Sequence, residues 1–125
     1  MSTAKFDTLS NVAGTQTVPV ATVAQGSAKA WVNFNGTGTV AIRASFNVSS
    51  ITDNGTGDYT VNFTSAMTDA NYSALALSNE TSSGSVNGVI ARAQGTALSS
   101  AFPMEIVNLS GTRFDSATVY VAVFR

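Results

Sequence analysis

Residues 30–72, AWVNFNGTGTVAIRASFNVSSITDNGTGDYTVNFTSAMTDANY, read as strand, glycine turn, strand, glycine turn, strand. Ala28, Ala30, Val32 and Phe34 fall on one face of the first strand, and Trp31 points to the other. Asn35-Gly36-Thr37-Gly38 is a turn, because Asn and Gly accept positive φ at little cost. From Val40 to Val48 the apolar positions Val40, Ile42, Ala44, Phe46 and Val48 alternate strictly, which predicts a half-buried strand with Phe46 on its core face and Arg43 opposite. Ser49 to Ile51 is expected to end that strand. The run Asp53-Asn54-Gly55-Thr56-Gly57-Asp58 then forms a tight connection before the alternating Tyr59, Val61 and Phe63.

Working outward, the same rhythm continues. Tyr72–Leu77 and Val86–Ala93 read as strands, the second with Gly88 marking a bulge or close backbone approach. A strand with mixed alternation follows Pro103 through Met104 and Ile106. In Thr118–Phe124, Val119, Val121 and Val123 alternate against Tyr120, Ala122 and Phe124, so both faces are apolar and the strand belongs in the middle of a sheet or between sheets. No segment carries a convincing amphipathic helix. The expectation is an all-β protein, an antiparallel β-sandwich of seven or eight short strands, with a jelly-roll-like order left open.

Residues 1–26 form a separate zone, read as an extended N-terminal arm or attachment segment, and residues 27–125 as the sandwich domain. In the arm, TVPVATVAQG alternates around Pro19, which lacks a backbone donor and suits an edge strand. Val18, Pro19 and Val20, together with Trp31, are the candidate subunit contacts.

Composition limits the function classes. Of 125 residues, 44% are hydrophobic but only 10% are charged, against ~25% in ordinary soluble domains. Ser and Thr occupy 32 positions, with ten Asn and ten Gly, so hydroxyls and amides replace ions as the hydrated groups. The net charge of −1 and the absence of a Lys/Arg cluster argue against nucleic-acid binding. No apolar run reaches the ~18 residues of a membrane-spanning helix. MSTAKFDTLSN lacks the apolar core of a signal peptide, which points to synthesis in a cytoplasm. Cysteine and histidine are both absent, removing disulfides, thiolate metal sites, the usual general base and the commonest zinc ligand together. No metal, cofactor or catalytic residue is expected.

The remaining candidates have plain readings. The seven carboxylates are Asp7, Asp53, Asp58, Asp69, Glu80, Glu105 and Asp115, mostly in turns. Asp53 and Asp58 could approach each other as a glycosidase pair would, and DNGTGD offers oxygens to calcium, but the stretch departs from EF-hand spacing and Asp in Gly-rich turns serves turn hydrogen bonds. Asn35-Gly36-Thr37-Gly38 lacks the Lys and helix of a phosphate loop. Seven Asn-x-Ser/Thr sequons follow from the abundance of those residues. Trp31, Tyr59, Tyr72 and Tyr120 are either core or subunit packing, or stacking platforms for sugars. The most polar loop carries Asn79, Glu80, Thr81, Ser82, Ser83, Ser85 and Asn87 and is the candidate receptor contact.

The segment WVNFNGTGTVAIRASFNVSSITDNGTGDYTVNFTSAM, and more loosely FDTLSNVAGTQTVPVATVAQGSAKAW before it, resembles a module of tailed-phage virion proteins, chiefly of the tail-fibre and fibre-tip type. The resemblance is close over residues 27–72 and does not extend beyond about Ser73. It implies a non-enzymatic virion protein with a role in host-surface adhesion, assembled as a homotrimer with other virion proteins and facing a host glycan or protein. A capsid decoration or head-fibre protein is the alternative. No stem-forming repeat is present, so a fibre reading means a tip or knob without its shaft.

Overall fold

A computed structural model describes residues 3–79 and 89–125. Two four-stranded antiparallel sheets pack face to face, preceded by a small hairpin and a short helix. The hairpin pairs β1 (Thr8–Ser10) with β2 (Thr17–Pro19), and α1 (Val20–Gly26) follows directly. The first sandwich sheet has the order β4-β3-β10-β7, from β3 (Ala28–Asn35), β4 (Ala41–Phe46), β7 (Ser73–Asn79) and β10 (Thr118–Phe124). The second has the order β5-β6-β9-β8, from β5 (Val48–Gly55), β6 (Asp58–Phe63), β8 (Val89–Ala93) and β9 (Ala101–Asn108). This is the expected all-β antiparallel sandwich, with eight sandwich strands among the described residues. The pairing does not establish a jelly-roll-like order: β3–β4, β5–β6 and β8–β9 are antiparallel neighbours within one sheet.

The core follows from the two-residue period of the strands. Ala30, Val32 and Phe34 of β3 and Val119, Val121 and Val123 of β10 meet Tyr59, Val61 and Phe63 of β6 and Phe102, Met104 and Ile106 of β9. Edge-to-face aromatic pairs, Phe34 with Tyr59 at 5.3 Å and Phe63 with Tyr72 at 5.8 Å between centroids, join the layers. Strand β10 lies in the interior of its sheet between β3 and β7, with Val119, Val121 and Val123 turned to the core and its other apolar face outward.

Three expectations change. The alternation from Val40 to Val48 does not belong to one strand. Asn47 has φ 54°, a left-handed conformation that Asn tolerates better than most residues, and it turns the chain from β4 in one sheet to β5 in the other. Val48 therefore enters the core while Phe46, opposite Trp31 on edge strand β4, is 55% exposed. Phe46 is not a core residue. Secondly, Ser49–Ile51 does not end a strand but lies inside β5. Thirdly, Val20–Gly26 is helical, seven residues long with no side-chain cap and no buried residue, which is why no amphipathic pattern announced it. Gly88 lies outside the described residues.

Candidate functional site

The two outer faces of the sandwich differ in chemistry. On the second sheet, Asn62 Nδ2 donates to Ser50 Oγ and Thr52 Oγ1, and Asn54 Nδ2 donates to Thr60 Oγ1. Beside this ladder, Asp58, Glu105 and Arg92 stand opposite one another on β6, β9 and β8. Arg113 crosses them, with Nη1 3.0 Å from Asp58 Oδ2 and Nε 2.7 Å from Glu105 Oε2, while Arg92 Nε reaches Glu105 Oε1 at 2.7 Å. The hydrogen bonds from Arg113 and then Arg92 hold the Glu105 carboxyl below the usual carboxylate range. This face is polar and satisfied.

The outer face of the first sheet is apolar. The strand registers line up Phe46, Trp31, Ala122 and Leu75 as one row across four strands. Ala44, Asn33, Tyr120 and Leu77 form the next row. Trp31 is 41% exposed, Tyr120 45%, Leu75 60% and Leu77 69%. Adjacent rows of a pleated sheet place these four large side chains, with Phe46, in one continuous patch. At its margin Arg43 bonds Asn33 Oδ1 at 3.3 Å and the Ala117 carbonyl at 2.6 Å. None of the described positions in the two rows is a carboxylate. A patch of this kind on one face, opposite a hydrated one, is the signature of an interaction surface.

The sequence candidates distribute as follows. Trp31 lies in the patch. Val18 and Pro19 are exposed on β2 and Val20 is half-buried at the start of α1, all three in the arm and apart from Trp31. In the candidate receptor loop, Asn79 is the exposed last residue of β7, and its carbonyl accepts from Ser116 Oγ. Glu80, Thr81, Ser82, Ser83, Ser85 and Asn87 lie outside the described residues. Of the four aromatics weighed as sugar platforms, Trp31 and Tyr120 are exposed. Tyr72 packs inward and bonds the Ala101 carbonyl at 2.9 Å, and Tyr59 is fully buried.

Tyr59 shows what DNGTGD does. Asp53 Oδ1 accepts from the Gly55 amide at 3.0 Å, and Asp58 is held by Arg113. Asp115 Oδ1 accepts from the Gly57 amide at 2.8 Å and also lies 2.8 Å from the Tyr59 hydroxyl, which is equally close to the Gly36 carbonyl. Three turns at one end of the sandwich thus converge on one phenol. Burial first, and then the hydrogen bond and charge of Asp115, push the Tyr59 hydroxyl pKa above its ordinary value. Among the described residues no group of three potential acidic metal ligands comes together. The sequence reading missed Leu75 and Leu77 as patch residues. Their alternation in SALALSN was visible, but it marks equally well an inward or an outward face.

No known protein family, curated protein or solved structure was found to match this chain.

Proposed function

We propose that this chain is a non-enzymatic structural protein of a tailed-phage virion, a tail-fibre or fibre-tip component that takes part in host-surface adhesion and assembles as a homotrimer. The observation that carries the assembly reading is the outer face of β4-β3-β10-β7. Five large side chains stand in its two rows, left open by the described residues, while the other sheet is finished with hydroxyls, amides and ion pairs. Burying an apolar surface is worth ~25 cal/mol per Å², so a face of this kind gains by meeting a neighbouring copy of the chain. The virion assignment rests on the resemblance of residues 27–72, and the low charge with abundant Ser, Thr and Asn suits a hydrated particle surface. The test is immunogold labelling of intact particles with antibody to this protein. Gold on the tail or its fibres is the expected result. Gold spread over the head would replace this reading with capsid decoration, and unlabelled particles would remove the virion assignment altogether.

A further inference from the structure

We infer that the N-terminal arm of one copy covers the outer face of β4-β3-β10-β7 of a neighbouring copy. The inference rests on the self-assembly proposed above and says how it is completed.

Its first ground is area. Four strands at ~4.8 Å spacing and about six residues at ~3.4 Å rise give the face roughly 400 Å² per copy. A standard stable interface takes ~800 Å² from each partner. The patch is too small by about half, so a second surface is needed.

The second ground is that the same chain carries such a surface. Phe6 is 65% exposed, Leu9 48%, and Val18 and Val23 42% each. Leu9 and Val18 stand opposite each other in the β1–β2 hairpin. Lys5, Phe6, Leu9, Val20, Val23 and Ala24 line one shallow, mainly apolar groove between hairpin and helix. Residues 3–26 contribute nothing to the buried core. An apolar hairpin and helix that neither enter their own core nor shield their own Trp31, Phe46, Leu75 or Leu77 have no use for those side chains within one chain.

The third ground is where the arm is rooted. Helix α1 runs straight into β3, and Ser27 Oγ and Lys29 Nζ bond the Val23 and Ala24 carbonyls, pinning the helix end at the start of that strand. The root therefore lies beside the Phe46–Trp31 row, at the margin of the face. Charge is sparse on both surfaces: the described arm has only Lys5, in the groove, and Asp7, while at the face Arg43 is already bonded to Asn33 Oδ1 and the Ala117 carbonyl.

The chain has no cysteine, so single cysteines report contacts cleanly. Full-length Leu9→Cys and Leu77→Cys proteins are unfolded, mixed, refolded together and treated with a short bismaleimide. The expected result is a heterodimeric cross-link well above that of Leu9→Cys mixed with Thr52→Cys, which places the second thiol on the polar sheet. Equal cross-linking at both positions overturns the inference, as does a doubly substituted chain that links only within itself. Light scattering separates this from the parent reading. A single-chain mass for the unsubstituted protein defeats both. An assembled mass that survives Leu9→Asp and Phe6→Asp, with no Leu9–Leu77 link, defeats the arm alone.

Discussion

Replacing Tyr59 by Phe removes one oxygen from the point where three turns meet. The hydroxyl lies 2.8 Å from the Gly36 carbonyl and 2.8 Å from Asp115 Oδ1, and Tyr59 itself is 0% exposed. A hydrogen bond to a charged acceptor contributes ~1.5–3 kcal/mol, and leaving a buried acceptor without a partner costs ~1–3 kcal/mol. Asp115 is exposed and recovers water, whereas Gly36 is buried and does not. The expected loss is therefore about 2 kcal/mol, or roughly 8 °C in Tm for a chain of this size. The ring stays, so the loss falls well short of the ~3–5 kcal/mol of truncating a core aromatic to Ala. A companion substitution checks the geometry. A Cβ on Gly36 would sit 2.6 Å from the Tyr59 hydroxyl and 2.9 Å from the Ser116 carbonyl, so Gly36→Ala overpacks the site at a cost of ~1–3 kcal/mol. In the double variant the nearest clash is gone while the Ser116 carbonyl remains, so the combined loss should undershoot the sum by about 1 kcal/mol. Urea unfolding at one fixed protein concentration reads all four corners of the cycle. A Tyr59→Phe midpoint within about 0.5 kcal/mol of the parent would refute the three-turn junction, and so would strict additivity with Gly36→Ala.

Other outcomes follow from the same geometry. Because the folded state raises the Tyr59 pKa, stability is full below the unfolded tyrosine value of ~10 and falls as pH rises above it; melting from pH 8 to 11 should show that loss, and Tyr59→Phe should flatten it. Glu105 runs the other way. Its folded pKa is depressed by Arg113 and Arg92, so its contribution is present above the unfolded value of ~4.3 and drains as pH falls through and below it, and Glu105→Gln should flatten the acid limb of a Tm–pH profile. Gly57 has φ +64°, with an added Cβ 2.7 Å from the Ile106 carbonyl and the Phe114 amide nitrogen; Gly57→Ala should cost more than ~3 kcal/mol in the same urea assay. Phe46→Ser should reduce a light-scattering mass of about 38 kDa, three times the 12.8 kDa chain, toward one chain without loss of the strand circular dichroism spectrum. An unchanged mass would take Phe46 out of the subunit contact, and a single-chain parent would end the self-assembly reading.

The sequence by itself was sufficient for whatever depends on neighbours along the chain. Two-residue alternation is a property of the pleat, so the same-face sets Ala30/Val32/Phe34, Tyr59/Val61/Phe63 and Val119/Val121/Val123 were legible without coordinates, as was the interior place of a strand apolar on both faces. The glycine turns were legible because few residues accept positive φ. Tertiary structure was needed wherever partners lie far apart in sequence. Asn47 breaks an unbroken alternation because its side chain bonds the Lys29 and Ser65 carbonyls at 3.0 and 3.1 Å and accepts from the Ser65 amide at 2.8 Å, contacts that exist only once both sheets have formed. That corner sends Val48 inward and leaves Phe46 outside. Likewise, the patch gathers Trp31, Phe46, Leu75, Leu77 and Tyr120 from four strands through register alone. Alternation marks the two faces of each strand; only the packing of one sheet on another selects which of them meets water.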